Sequence, residues 1–239
     1  MILPFEILLV LGALAFYLQD SCSLLYADEL MLERVGGGWR VHSGAAMLVA
    51  GRRPFVPNPL APHRPLMRVS LQQLLGDGPA ERNDLAHYLN ALAPFKAAST
   101  ALLLLFVPTL PMVLYLFGTG VELLCWLAAV YLAVARIGAT LFQRRRVLQL
   151  SVRDCAGLAF ECACCPPLAI NIVRKLTLRA DAMTLARCPA IVNARSHPSL
   201  LMAAGERIEE MLRRWDSETP QAQTLLRYRE KLLAGARAR

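Results

Sequence analysis

No Walker loop, dinucleotide fingerprint, nucleophile elbow or HExxH run occurs in this chain, which removes the commonest phosphate-cradling, nicotinamide-binding, serine-hydrolase and zinc-protease motifs. The one glycine run, Gly36 to Gly38, is not followed by a helical pattern and reads as a turn. Histidine is sparse. His42, His63, His87 and His197 are scattered, and none stands beside the cysteines at metal-ligand spacing. Helix-turn-helix, zinc-finger and RNP patterns are missing, which argues against a nucleic-acid partner despite a formal charge of +8. No internal repeat is visible. Lysine is scarce as well: Lys96, Lys175 and Lys231 are three of 26 basic residues, a bias that points to a GC-rich bacterial genome rather than to any physical demand.

Apolar residues, by contrast, make up 56% of the chain. The mean hydropathy of +0.40 is high for a soluble domain, so membrane residence is the first expectation. A helix needs about 20 mainly apolar residues to span a bilayer. Three runs qualify: Ile2 to Leu18, Ala97 to Gly118 and Val121 to Phe142. Only Thr119 and Gly120 separate the last two, which must form an antiparallel hairpin.

Orientation follows from arginine, because basic residues near span ends resist translocation. Arg144, Arg145 and Arg146 hold the end of the third span in the cytoplasm, and the hairpin turn at Gly118 to Gly120 carries no basic residue. By parity Gln19 to Lys96 is cytoplasmic and the amino terminus is outside. The first run lacks the charged n-region of a signal peptide, and Gln19-Asp20-Ser21-Cys22 does not fit a lipoprotein signal, so a retained anchor is expected. Gln19 to Ala97 holds eight basic and seven acidic residues, whereas Gln143 to Arg239 holds seventeen and nine. The excess charge is therefore carboxy-terminal. It fits the positive-inside bias and attraction to anionic lipid, worth about 1 kcal/mol per basic residue near the surface.

Between the first two spans, Glu29 to Val35 alternates and three glycines follow, predicting a small β-hairpin or meander with Leu30 and Leu32 on one side and Met31 and Glu33 on the other. Prolines at 54, 57, 59, 62 and 65 then predict an extended strap, with Arg52, Arg53, His63 and Arg64 as candidate partner-binding handles. An amphipathic helix should follow, capped by Asp77 or Gly78 with Pro79 and Glu81 in its first turn, and ended by Pro94. Pro108 and Pro111 predict a kink in the second span. After the third span, Pro198 and Pro220 each open a strongly periodic helix, so a helical hairpin with an apolar seam and a basic outer face is expected.

The chain has seven cysteines, three of them within four positions: Cys162, Cys164 and Cys165. They are the weak candidates for a metal or thiol site, with Glu161 able to add an oxygen. Paired ligands repeated twice, the mark of a structural zinc site, are missing, and the surrounding sequence is apolar, so structural lining is the expected role and no metal or cofactor is expected. Asp154 to Cys165 reads as a helix ended by Pro166 and Pro167, within an element that is half-buried in or re-entrant to the bilayer. The catalytic candidates of an assembled site would be Glu161, Asn171 and Arg174.

The sequence thus predicts a mainly α membrane protein with about three transmembrane helices, a small cytoplasmic β-hairpin or meander and a cytoplasmic carboxy-terminal helical hairpin. Its parts are an anchor (1–18), a cytoplasmic hairpin, strap and amphipathic helix (19–96), a transmembrane hairpin (97–142), a membrane-associated segment (143–195) and a basic helical hairpin (196–239). The expected role is a non-catalytic accessory or assembly subunit of the bacterial inner membrane, multi-pass, touching membrane lipids and another membrane or cytoplasmic subunit. The alternative is a membrane-embedded enzyme acting on a lipid-linked or thiol-reactive substrate at the cytoplasmic interface.

Overall fold

The computed structural model describes residues 5–36, 38–45, 47–71, 85–179, 198–214 and 219–237. The chain is mostly helical with a small antiparallel sheet. It divides into two compact units, one of Met1–Cys22, Val56–Pro65 and Ala86–Ala180, the other of Ser23–Phe55, Leu66–Leu85 and Asp181–Arg239. The expected caps at Asp77 and Gly78, with Pro79 and Glu81, lie outside the described residues, as do Cys188, His197 and Trp215.

In the first unit, helix α1 (Phe5–Ser21) is followed by α2 (Leu85–Ala91), α3 (Ala93–Phe117) and α4 (Val121–Arg144). Among the described residues α3 and α4 are long and apolar enough to cross a membrane, and only 28% and 22% of their most apolar windows are buried within the chain. A core helix of a soluble protein would be mostly covered. These two instead expose Tyr115 at 88% and Leu132 at 73%. Three spans were expected; among the described residues two helices pass. Described α1 has 17 residues, and its last turn carries an exposed Gln19, a half-buried Asp20 and a buried Ser21.

Pro94 opens α3 rather than merely ending α2. Inside α3, Leu105–Thr109 forms a π-helical turn around Pro108. Proline has no N–H to give the Leu104 carbonyl four residues back. Thr109 Oγ1 donates to that carbonyl instead, at 2.9 Å, while Trp126 Nε1 of α4 donates to the Leu105 carbonyl at 2.9 Å. The predicted kink is thus resolved as a wide turn whose carbonyls are re-satisfied. Phe106 and Trp126 meet edge to face at 5.2 Å beside it. Gly118 closes α3 at φ +67°, a conformation that glycine adopts without a Cβ clash, and Gly120 starts α4.

Helix α5 (Val152–Cys164) begins with a reciprocal cap between Ser151 and Asp154. It packs antiparallel on α4: Cys155 Sγ lies 3.7 Å from the Leu141 carbonyl, and a Cβ on Gly138 would stand 3.7 Å from Ala159. Pro166–Asn171 then forms a 3₁₀ turn that leads into α6 (Ile172–Arg179), so the prolines end α5 where the sequence implied.

The second unit holds strands β1 (Ser23–Leu25), β2 (Glu29–Val35), β3 (Gly38–His42), β4 (Arg53–Phe55) and β5 (Leu66–Ser70), with helices α7 (Pro198–Arg214) and α8 (Pro220–Arg237). The strands form a three-stranded antiparallel sheet in the order β3-β2-β5 and a two-stranded pair, β1-β4. The predicted hairpin is β2-β3, turning at Gly36 with φ +59°. Leu30, Met31, Leu32 and Glu33 are all buried, so both faces of β2, the central strand of the sheet, are covered. Pro54 sits in β4, within a two-stranded pair, where a missing N–H is tolerated.

Helices α7 and α8 bury Ala204, Ile208, Met211, Ala222 and Leu225, the apolar seam implied by their spacing. Arg207 departs from the expected basic outer face. It is 2% exposed, and its Nη2 donates to the Ser43 carbonyl at 2.9 Å while Nη1 lies 3.5 Å from Glu210. Glu210 also pairs with Arg53 of β4.

Candidate functional site

The three catalytic candidates of the sequence meet in one polar network inside the first unit. The 3₁₀ turn after Pro166 swings Asn171 inward, and the first turn of α6 adds Arg174 and Lys175. Asn171 and Arg174 are 1% and 3% exposed. Asn171 Nδ2 lies within donating distance of the Tyr17 carbonyl (3.1 Å), Asp20 Oδ2 (3.1 Å) and Ser21 Oγ (2.9 Å) at the end of α1. Arg174 Nη1 donates to Asn171 Oδ1 at 3.1 Å, and its Nη2 donates to the carbonyls of Asn58 (2.6 Å) and Ala61 (3.1 Å) in the proline-rich strap. A guanidinium with its donors in a fixed fork suits this task, because it ties three chain segments together through one rigid group.

Glu161 stands at the other end of the network. Its carboxylate pairs with Lys175, whose ammonium also lies 3.0 Å from Asp20 Oδ1. Burial lowers the pKa of Lys175, but the hydrogen bond to Glu161 and the Asp20 charge outweigh it, and the net shift is upward. Further bonds fasten the same region: Ser99 Oγ donates to the Ile170 carbonyl, and Tyr88 OH donates to that of Leu176 at 3.0 Å. Asp20, Ser21 and Lys175 escaped the sequence reading. A polar turn directly after an apolar run, at Gln19-Asp20-Ser21, was the available signal.

The cysteines do not converge. Cys162 and Cys155 are buried, Cys164 is exposed and Cys165 is half-buried. Burial pushes the Cys162 thiol up to about 12, so it is protonated and a poor nucleophile near neutral pH. Cys164 and Cys165 line a cleft of about 380 Å³ with Phe16, Phe106, Trp126 and Pro167, an apolar setting for a thiol. Among the described residues no three His, Cys, Asp or Glu side chains gather as a metal would require.

The proposed partner handles are dispersed. Arg52 lies over the Tyr26 ring at 4.3 Å and donates to its hydroxyl at 2.7 Å, and Arg53 turns inward to Glu210. Both belong to the second unit. His63 and Arg64 belong to the first, where burial and the charges of Arg64, Lys96 and Arg174 hold the His63 imidazole below its usual range.

No protein-family model, curated protein or solved structure matches the chain.

Proposed function

We propose that this chain is a non-catalytic accessory or assembly subunit of a bacterial inner membrane. In this reading it is multi-pass, with its amino terminus outside and its carboxy terminus in the cytoplasm. Helices α3 and α4 cross as a hairpin, α1 is a third membrane helix, and α5 with α6 dips into the cytoplasmic leaflet and returns. The second unit is then the cytoplasmic surface offered to another subunit, with membrane lipid covering the outward faces of α3 and α4.

One observation carries the choice between subunit and enzyme. Asn171 and Arg174, almost fully buried, bond to each other, to α1 and to strap carbonyls, and Glu161 is paired with Lys175. Groups arranged in this way brace a fold, whereas a general base or nucleophile needs an open side toward substrate. Burial keeps the Cys162 thiol protonated near neutral pH, which makes it a poor nucleophile.

Purification of the full chain in mild detergent tests the reading. A stoichiometric protein partner should come down with it and be released when the exposed Arg227 and Arg229 of α8 are changed to Glu. A reporter fused after Arg239 should be active in the cytoplasm. A monodisperse lone chain, or a carboxy-terminal reporter active in the periplasm, overturns it.

A further inference from the structure

Helices α3 and α4 leave a groove of about 660 Å³ between them on one side. Its walls are mostly small: alanines such as Ala97 and Ala101 on α3 and Ala133 and Ala139 on α4 line it, together with Leu105 and Leu132. The groove is therefore apolar for most of its length, with one exception. Arg136 lines it, exposed, and among the described residues no carboxylate pairs with it. Arg136 stands eight positions before Arg144, about 12 Å along the helix. Ala97 directly follows Lys96, so the groove's charged portion lies toward the end of the hairpin that the proposed orientation puts in the cytoplasm.

We infer that this groove holds one anionic phospholipid, its phosphate on the Arg136 guanidinium and one acyl chain laid along the alanine walls. The inference rests on the membrane reading above. Charge complementarity selects the occupant. An arginine inside a span is costly unless a counter-charge or the headgroup layer reaches it, and its long stem can raise the guanidinium to phosphate level. A planar guanidinium binds phosphate oxygens in pairs. The continuous apolar floor beneath it matches the chain attached to such a phosphate and offers nothing to a free phosphate ion. Alanine at each wall leaves the space open, where leucines would have closed it.

The test uses the full chain reconstituted with phosphatidylglycerol or phosphatidylethanolamine and read by native mass spectrometry. Wild type should retain one phosphatidylglycerol per chain with about fivefold preference over phosphatidylethanolamine, the factor that about 1 kcal/mol from one surface cation gives. Excess inorganic phosphate should not displace it. Arg136→Gln should abolish the preference, Ala133→Phe should weaken retention of both lipids, and Arg146→Gln, at the exposed end of the same arginine run, should change neither. Retained preference in Arg136→Gln overturns the inference, as does equal loss in Arg146→Gln, which would mean diffuse surface charge. Crosslinking of Ala133→Cys to a carboxylate-bearing helix of another protein also overturns it. An alkaline carbonate wash separates the two layers of argument: a chain that stays in the membrane without lipid preference sinks the groove alone, and a chain that washes off sinks both.

Discussion

Replacing Arg174 by Met removes the fork but keeps most of the volume. Two strap carbonyls, those of Asn58 and Ala61, lose their charged donor, and Asn171 Oδ1 loses one of its partners. A buried acceptor left without its donor costs about 1–3 kcal/mol. The two carbonyls together thus cost about 2–6 kcal/mol, offset in part because burying a guanidinium carries its own desolvation penalty. The expected net loss is about 2–4 kcal/mol, which lowers the melting temperature by roughly 5–15 °C at about 2–4 °C per kcal/mol for a chain of this length. Thermal denaturation in detergent measures the global effect. Limited proteolysis locates it, since the strap from Val56 to Pro65 should be cut earlier than any other described segment of the first unit. Arg174→Lys restores the charge without the fork and should recover less than half of the loss. An Arg174→Met protein that melts within about 1 °C of wild type, or whose strap keeps its protection, would refute the bracing role and reopen Arg174 as a group held ready for chemistry.

Lys175 supplies a pH signature: its folded pKa lies above the ordinary 10.5, so its stabilisation is complete below that value and lost as pH rises through the folded one. Wild type should therefore lose melting temperature above pH 10.5 more steeply than Lys175→Met, with parallel curves between neutrality and pH 9; parallel curves throughout would sink the claim. Thr109→Val should cost about 1 kcal/mol by removing the hydroxyl bond to the Leu104 carbonyl, and less than half as much when Pro108→Ala restores the backbone donor. A double-mutant cycle with no coupling would disprove that exchange of partners. In the second unit, Arg207→Met should destabilise by about 1–3 kcal/mol by stripping the Ser43 carbonyl of its donor, seen as earlier proteolysis of Pro198–Arg214; unchanged cleavage would count against it.

Elements governed by local chemistry were legible from the residues. Alternation and glycine marked the β2-β3 hairpin, Pro198 and Pro220 marked the starts of α7 and α8, and Pro166 marked the end of α5. The third strand of the sheet, β5, was passed over, although Leu66 and Val69 are buried and Arg68 and Ser70 are more open along it. Whether a polar side chain faces in or out was not legible, because that depends on partners far away in the chain. Arg207 stands three residues after Ala204 and four before Met211, on the flank of the buried stripe, but nothing in that spacing points to its acceptor at Ser43. Likewise the polar network joins residues 20–21, 58–61 and 171–175, and no spacing rule connects such stretches.

The two units are interleaved rather than sequential, and this constrains how the protein can be made. Strands β1 to β4 leave the ribosome well before Arg207 and Glu210, which grip Ser43 and Arg53, are synthesised. The newborn sheet must therefore wait, half-clothed, while the apolar hairpin is made. Neither half can be expected to survive expression by itself, and any chaperone or insertion factor that attends this chain should be needed longest between those two moments.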